Sequence, residues 1–332
     1  MDTNSIFRSG LALALLASVV IALPQTATAQ SLTLRVSTNS GPGTSSVVLL
    51  EAFKESLEAE LGDDVRVDLF TTGQLGDEII HMEQVRTGQI DITPILSDAP
   101  QLDPKWGMFD APFLFTSFDQ VHAVLDGPIG DEMRESMRNR VGLEVLAYGG
   151  AGFRHITNSV RPVVTPADLA GLKLRVPGSQ SRIRAFEHLG ATPVTMNMGE
   201  LYLALQQGTM DGQENPLSTI IARSLNEVQG YLSLSSHVYT PTTLVMNGRR
   251  WDGLTAEHQE AILRASEIAA QRSREVAEAA DKDGIDVLSP LMEVNEIDSV
   301  AFQEAARPLW DELAEIAGRE FADRLIAEVQ EQ

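Results

Sequence analysis

The chain has 332 residues, more than one hydrophobic core usually supports, and 43% of them are hydrophobic, which is enough for two ordinary domains. Its formal net charge is -22, so it repels nucleic acid and anionic lipid, and we expect neither as a partner. Because it contains 0 cysteines, disulfides, thiolate metal sites and thiol nucleophiles are excluded. An anionic ligand would need a local cationic pocket to overcome the overall field.

The first 29 residues have the layout of a secretory signal peptide. Arg8 stands in a short polar start, residues 11–23 form an apolar run, and Ala27-Thr28-Ala29 precedes Gln30. We expect cleavage near Ala29. No later segment approaches the ~20 apolar residues of a spanning helix, so we expect no membrane insertion. Since no cysteine is available to carry a lipid, the periplasm is the expected location.

Residues 32–148 alternate between strand and helix patterns, which is typical of an α/β sheet. The predicted strands cover 32–36, 65–70, 90–95 and 143–148. Helices are predicted from the caps at 44–46 to Gly62 and over 78–87. The segment Gly149-Gly150-Ala151-Gly152 has a backbone that rotates at low cost. We expect a flexible joint and a domain boundary there.

The second half repeats the same construction. Thr165 caps a short helix that Gly171 ends, and Pro166 takes its first position. Strands are predicted at 172–176 and 191–196, and helices at 181–189, 199–207 and from 216 onward. A long helix over 255–280 follows, then Asp281-Lys282-Asp283-Gly284 and a last helical region over 301–330. The sequence therefore predicts two α/β lobes and a long helix able to brace both.

Arg175 is the strongest candidate for a ligand contact. The period of two in Leu172-Lys173-Leu174-Arg175-Val176-Pro177 places three apolar residues on one strand face and Arg175 on the other, at the carboxyl end. Open α/β sheets bind ligands beyond those strand ends. A guanidinium forms two parallel charge-assisted hydrogen bonds with a carboxylate. A surface arginine paired with a nearby acid would show the same pattern, so spacing alone leaves both interpretations open.

Asn215 and Arg154 are two further candidates. Pro216 forces Asn215 into an extended conformation, and asparagine before proline favours a helix cap. A capping carboxamide would keep two N–H donors for a ligand. Arg154 follows the glycine segment and could face a cleft between lobes, although the alternation around it does not settle its direction.

Several segments, taken in order, form a recognisable set. They are Gln74-Leu75-Gly76-Asp77, Ala111-Pro112-Phe113-Leu114-Phe115, Gly152-Phe153-Arg154-His155-Ile156-Thr157-Asn158-Ser159, Leu172 to Pro177, residues 198–208 and Asp211-Gly212-Gln213-Glu214-Asn215-Pro216. Together they resemble the DctP-type solute-binding proteins of tripartite ATP-independent periplasmic (TRAP) transporters. The resemblance covers essentially the whole chain after the leader.

The resemblance implies an α/β, two-lobed periplasmic-binding-protein clamshell (type II-like), with several crossings between lobes and a long helix spanning both. We expect lobe I to comprise 30–151 plus 242–281, and lobe II to comprise 152–241 plus 282–332. In such proteins the arginine at the position of Arg175 pairs with the ligand carboxylate, and Arg154 and Asn215 assist it. The implied function is to bind a small organic acid and deliver it to the permease subunits of a TRAP transporter, without enzymatic activity.

Weaker candidates lie elsewhere along the chain. Asn39 in the first strand-to-helix turn is a further polar contact or simply a turn residue. Ser97 and Asp98 follow a core strand where relatives vary their specificity, and Tyr239 lies in a late segment that could reach the cleft. Sialic-acid-binding relatives carry a glutamate where this chain has Leu96, which argues against a sialate ligand.

Other classes of protein are less well supported. No histidine lies in a Gly-x-Ser-x-Gly or His-Glu-x-x-His context, and no phosphate loop or dinucleotide motif is present, which disfavours a hydrolase. His81 and Glu83 could touch one metal ion, but two residues apart on a helix they point in different directions. We expect no metal, no cofactor and a monomer. A receptor that signals to a sensor kinase would use the same pocket and remains an alternative.

Overall fold

The computed structural model describes residues 32–332. The predicted signal peptide and its cleavage near Ala29 lie outside the described residues. The strands are β1 (Leu32–Ser37), β2 (Val65–Phe70), β3 (Ile92–Ile95), β4 (Leu143–Phe153), β5 (His155–Asn158), β6 (Lys173–Val176), β7 (Thr192–Thr195), β8 (Gly212–Asn215), β9 (Tyr231–Leu234), β10 (Tyr239–Asn247) and β11 (Glu293–Glu296).

The α-helices are distributed along the whole described chain. They are α1 (Ser45–Leu61), α2 (Glu78–Thr87), α3 (Phe118–Asp126), α4 (Pro128–Val141), α5 (Gln180–His188), α6 (Met198–Gln206), α7 (Leu217–Ala222), α8 (Gly248–Asp252), α9 (Ala256–Leu288), α10 (Ser299–Ala317) and α11 (Arg319–Glu331). The short helix predicted after Thr165 is a 3₁₀ turn, Pro166–Leu169. No helix within residues 32–332 is both long and apolar enough to cross a membrane.

The strands form two mixed sheets. The first has the order β2-β1-β3-β10-β4, with β1 parallel to β2 and β3, and β10 antiparallel to β3 and β4. The second has the order β11-β9-β5-β8-β6-β7, with β6 parallel to β7 and β8. These two sheets with their covering helices confirm the predicted two-lobed α/β architecture.

Local patterning explains the first elements well. Leu32, Leu34 and Val36 are buried in β1, whereas Thr33 and Arg35 between them are exposed. This period of two is that of a strand with one face on the core. The predicted strand at 65–70 and helix at 78–87 coincide with β2 and α2.

The chain passes from the first sheet to the second at Arg154, the single residue between β4 and β5. It returns between β9 and β10, beside that same residue. The Arg154 amide donates to the Val238 carbonyl at 2.9 Å, and the His237 amide donates to the Arg154 carbonyl at 3.2 Å. These two connections are therefore bonded to each other, with Arg154 between them, and a third connection runs from β10 through α9 to β11.

The glycine segment 149–152 belongs to β4 and pairs with β10, so it is not a loop. Gly149 and Gly150 lie against α9: a Cβ on Gly149 would come within 2.9 Å of the Ser273 hydroxyl oxygen, and the Gly150 amide donates to that oxygen at 3.3 Å. Gly152 has a φ of +108°, in the region that favours glycine. Close packing accounts for the first two glycines, and the domain boundary expected here stays a prediction.

Helix α9 packs on both parts of the molecule. It contacts α1 and β4 on the first sheet and α7 beside the second. Ala261, Ala265 and Ala269 are buried in the core shared with α1, where small side chains let the helices approach closely. At 33 residues it is about 50 Å long, enough to reach across both sheets.

The break expected at 281–284 is wrong, because α9 continues to Leu288. Gly284 is buried in the helix, and a Cβ there would lie 2.8 Å from Leu217 Cβ on α7. The glycine permits this close helix contact and does not end the helix.

The C-terminal helices pack on both sides of the molecule. Phe302 of α10 shares a core with Ile156 and Leu174 of the second sheet. Phe321 and Leu325 of α11 share a core that includes residues of α3 and α4. The last helix therefore packs beside α3 and α4, and the lobe bounds expected from the sequence stay a prediction.

The contact between α9 and α7 predicts that Gly284→Ala lowers the free energy of unfolding. Glycine to alanine inside a helix normally stabilises by up to ~1 kcal/mol. We expect Gly284→Ala instead to lower the free energy of unfolding by about 1–2 kcal/mol in urea denaturation, because the new methyl group meets Leu217. Gly199→Ala in α6, where a Cβ meets nothing within 4 Å, is the matched control and should be neutral or stabilising. Equal effects of the two substitutions would contradict the close contact.

Candidate ligand-binding site

A cavity of about 450 Å³ lies at the carboxyl ends of parallel strands from both sheets. On the first sheet it is lined by residues that follow β1 and β3. On the second it is lined by the ends of β6, β7 and β8. The polar lining residues are Asn39, Ser40, Thr44, Asp77, Glu78, Ser97, Asp98, Gln101, Arg154, Arg175, Thr195, Asn197, Glu200, Asn215, Thr219 and Arg223. The position agrees with the general rule for ligands in open α/β sheets.

Arg175 lies at the carboxyl end of β6, and its side chain faces this cavity. Only 5% of the residue is exposed. Its Nε and Nη2 donate to the Met196 carbonyl at 2.9 and 2.7 Å, which fixes the plane of the guanidinium. Nη1 has no hydrogen-bond partner among residues 32–332. Burial, and then the charge of Arg154, lower the pKa of Arg175 to about 10, so the group remains a cation at neutral pH.

Arg154 is also buried, but a carboxylate occupies most of its donors. Its Nε donates to Glu214 Oε2 at 2.5 Å, and its Nη2 donates to Glu214 Oε1 at 3.1 Å and to the Glu214 carbonyl. Its Nη1 reaches the Ser97 hydroxyl, at 3.3 Å, on the first-sheet side of the cavity. Arg154 therefore joins the second sheet to the loop after β3, and it has fewer donors left for a ligand than Arg175 has.

Glu214 lies between two buried arginines. Arg182 Nη1 donates to Glu214 Oε2 at 2.8 Å, and Arg182 Nη2 donates to Asp110 Oδ1 at 2.5 Å. Burial alone would raise the pKa of Glu214, but the charges of Arg154 and Arg182 hold it well below its usual range. His237 Nε2 lies 3.2 Å from Glu214 Oε2, and burial lowers the pKa of His237 to about 4. Glu214 is thus a fixed anion at neutral pH.

Asn215 ends β8 and lines the cavity, although not as the expected helix cap. Pro216 is the residue before the first turn of α7, and no side chain caps that helix. The Asn215 Oδ1 accepts from Arg154 Nη2 at 3.0 Å, and its Nδ2 donates to the Gln213 side chain. The cap, which the sequence left open as an alternative, does not form because β8 runs up to Asn215, which directs the carboxamide toward Arg154.

The first-sheet side contributes Asn39, Ser97 and Asp98 to the cavity, and Leu96 lies beside them. Asn39 takes part through its backbone: its carbonyl accepts from Arg223 Nη2 at 2.7 Å, across the cavity. Asp98 is 7% exposed, and its Oδ1 accepts from Gln101 Nε2 at 2.7 Å. Burial raises the pKa of Asp98, and the nearby charge of Arg175 opposes that rise.

Tyr239 does not line this cavity. Its ring is buried in an aromatic group, edge-on to Phe118 and Phe153 with ring centroids 5.9 and 5.4 Å apart. Burial raises the pKa of its hydroxyl, which finds no hydrogen-bond partner among residues 32–332. The structure places Tyr239 at the start of β10, where it packs rather than contacts a ligand.

His81 and Glu83, which the sequence analysis considered as possible ligands of one metal ion, do not point to a common site. His81 is buried, and its Nε2 lies 3.1 Å from the Ser37 hydroxyl. Glu83 pairs with Arg86 on the exposed side of α2, at 2.9 Å. In the part of the chain that the structure describes, no cluster of three metal-ligating side chains is present.

Several residues of the site were not singled out from the sequence. They are Glu78, Asp110, Arg182, Glu214 and Arg223. Glu78 begins α2 directly after the Gln-Leu-Gly-Asp segment, and Glu214 directly precedes Asn215, so two of them stood beside recognised motifs. Arg182 and Asp110 come from distant segments, and no local pattern marks their contact.

These features define a class: a two-sheet binding protein with a ligand cavity between its lobes. The family model for bacterial extracellular solute-binding proteins, family 7 (DctP), matches residues 36–316. The chain is 34% identical over 261 residues to the 2,3-diketo-L-gulonate-binding periplasmic protein YiaO of Escherichia coli, covering 78% of this chain and 79% of that protein.

Solved structures of similar proteins share this fold. A TRAP periplasmic solute-binding protein from Bordetella bronchispeptica, with density assigned to pantoate, superposes with a TM-score of 0.85 at 36% identity, covering 89% of this chain and 99% of that one. The sugar-acid-binding protein DctPAm from Advenella mimigardefordensis, in complex with galactonate, has a TM-score of 0.87 at 29% identity, covering 91% and 99%. The chain belongs to the DctP family of solute-binding proteins. This family consists of transport receptors rather than enzymes, which confirms the class predicted from the sequence.

The Glu214 ion network should carry a large share of stability. We expect Glu214→Gln to lower the free energy of unfolding by about 3–5 kcal/mol, because two buried guanidiniums would lose the anion between them. The control is Glu83→Gln, which breaks a solvent-exposed pair and should change stability by no more than about 0.5 kcal/mol. Chemical denaturation measures both. Similar small effects of the two would show that the buried network adds nothing to stability.

Proposed function

We propose that Arg175 receives the carboxylate of a small organic acid, which the protein then delivers to the membrane subunits of a TRAP transporter. The observation that carries this proposal is a buried guanidinium that faces the cavity without an ion pair. No carboxylate of residues 32–332 lies within the 4.0 Å ion-pair distance of Arg175. A cation buried without a partner is costly, so an anionic ligand would supply the missing charge.

The geometry of Arg175 leaves a donor for an anionic ligand. Met196 holds one edge of the planar group, and Nη1 remains for the ligand. Charge-assisted hydrogen bonds of this kind are about twice as strong as neutral ones. Arg154 and Asn215 lie in the same cavity and are proposed to assist. The ligands named for the related proteins, 2,3-diketo-L-gulonate, pantoate and galactonate, all carry a carboxylate.

The periplasm is the proposed location of the mature protein. The family is extracellular, and the first 29 residues have the pattern of a signal peptide. The permease partner is proposed because the solved relatives are receptors of TRAP transporters. No enzymatic step is proposed.

Two hydrogen bonds that cross the cavity support lobe closure as the mechanism. Arg223 of the second-sheet side donates to the Asn39 carbonyl of the first, and Arg154 donates to the Ser97 hydroxyl. Opening the cavity would break both. A ligand that bridges the same surfaces would therefore shift an open and closed equilibrium toward the closed state.

The role of Arg175 can be tested by calorimetry. A thermal-shift screen of small acids first identifies a binding acid, and titration then compares variants. We expect Arg175→Ala to weaken binding by at least ~2 kcal/mol, and Arg175→Lys to restore it only in part, because an ammonium lacks the planar fork. Arg66→Ala on the exposed edge of β2 is the control. Unchanged affinity in Arg175→Ala would remove this residue from the site.

Closure can be tested by small-angle scattering. The radius of gyration should fall when the acid found in the screen is added to the wild-type protein, since the lobes would approach each other. The Arg175→Ala variant at the same acid concentration should keep its ligand-free radius. An identical radius of the wild type with and without a saturating acid would contradict closure.

A further inference from the structure

Two carboxyl groups share the cavity with Arg175. Glu78 begins α2, Asp98 follows β3, and both line the cavity from the first-sheet side, whereas Arg175 lines it from the second. Neither carboxyl lies within ion-pair distance of Arg175, since no oxygen of either is within 4.0 Å of its nitrogens. Acidic groups and a guanidinium thus stand opposite each other with the open cavity between them.

Hydrogen bonds from the protein hold each carboxyl in place. Glu78 Oε1 accepts from the Leu96 and Asp98 amides at 2.6 and 3.3 Å, which fixes its position beside the loop after β3. Asp98 Oδ1 accepts from Gln101 Nε2 at 2.7 Å. Within residues 32–332, no hydrogen bond is made to Glu78 Oε2, and the Gly178 amide is a further donor to the Asp98 carboxyl. Asp98 is more than nine-tenths buried, so its carboxyl is held as a fixed acceptor in the cavity wall.

We propose that the cavity selects a small monocarboxylate whose carbon chain carries several hydroxyl groups, with Glu78 and Asp98 as acceptors for those hydroxyls. This inference rests on the proposed function, in which Arg175 takes the carboxylate. The far end of the ligand then lies against Glu78 and Asp98, where the charge of Asp98 would repel a second carboxylate and a bare methylene chain would form no hydrogen bond to either carboxyl.

The ionisation of Glu78 and Asp98 suits a ligand that carries hydroxyl groups better than one that carries an ammonium group. Burial, and then the charge of Asp98, raise the pKa of Glu78 to about 8, so Glu78 is mostly protonated at neutral pH. A protonated carboxyl both donates and accepts, as a hydroxyl does, whereas an ammonium only donates. The remaining lining has the same dual character, with hydroxyls and carboxamides at Ser40, Thr44 and Asn197.

The composition of the wall also bears on aromatic and dicarboxylic ligands. No aromatic side chain is among the residues that line the cavity in the described chain. Arg223 favours a dicarboxylate, because its half-buried guanidinium is a further cation in the cavity lining. Burial lowers its pKa. Its Nη2 is already used by the Asn39 carbonyl, so it serves the connection across the cavity. A ligand with two carboxylates is therefore the main rival, and the experiment includes it.

Six-carbon acids provide a matched set of probes. Calorimetry would compare hexanoate, adipate, galactarate and three aldonates, D-galactonate, D-gluconate and D-mannonate. We expect at least one aldonate to bind ten times more tightly, or more, than hexanoate, adipate and galactarate. If adipate or galactarate matches the best aldonate, or if a wider acid library yields a ligand without hydroxyls as the tightest, the inference is wrong while the proposed function stands. If no acid binds, the proposed function itself fails.

Substitutions of Asp98 and Glu78 test the contacts of the hydroxyl groups separately from the contact of the carboxylate. Asp98→Asn keeps the shape of the side chain, and we expect it to weaken aldonate binding at least tenfold while leaving adipate binding equal or tighter. Glu78→Gln, which keeps the acceptor for the Leu96 amide, gives an independent measurement if the first variant does not fold. Asp68→Asn on β2, outside the cavity, controls for net charge. Equal weakening of aldonate and adipate by Asp98→Asn and by Glu78→Gln would overturn the acceptor role.

Discussion

The ion network around Glu214 holds the two sheets in the relation on which the cavity depends. Arg154 is the only residue between β4 and β5, and Glu214 fixes its side chain from β8 while Arg182 binds the same carboxylate from α5. Since the charges are buried, each guanidinium needs its anion, and the network is satisfied only in one arrangement of these strands. The buried ion network thus fixes the crossing between the sheets at Arg154, and the packing of α9 fixes the crossing from β10 to β11.

The cavity follows from this arrangement. Parallel strands in both sheets end at the same place, so the residues that follow β1 and β3 face those that end β6 and β8. Among the arginines there, Arg154 is neutralised by Glu214, whereas Arg175 is held only by a backbone carbonyl. The two look alike in the sequence, yet Arg154 is part of a buried ion network, whereas Arg175 has no carboxylate partner within residues 32–332. Their different partners make that distinction.

Sequence patterns predicted the parts of the fold that depend on local periodicity. β1, β2 and α2 lie where alternation and helical spacing place them, and Arg175 is at the strand end that its neighbours indicate. β8 escaped prediction because Gly-Gln-Glu-Asn contains no apolar residue, and only its pairing with β5 and β6 makes it a strand. β10 contains Pro241 at a shift in register, which weakens any local strand signal. The position of Tyr239 outside the cavity could not be read from the sequence for a related reason, since its burial depends on Phe118, which is distant in the sequence.

The overall charge of the chain and the charge of its site act over different distances. A net charge of -22 is spread over a surface where salt screens each group within about 8 Å, so it discourages extended polyanions. A small acid bound as proposed would instead meet Arg175 at contact distance and in a medium of low dielectric constant, where the same charge has a larger effect. The acidic surface and an anionic ligand are therefore compatible, because Glu214 and Asp110 balance Arg154 and Arg182, whereas Arg175 has no carboxylate partner within residues 32–332. Composition argues against nucleic acid as a partner, whereas the hydrogen-bond partners of each arginine indicate which guanidinium could accept an anion.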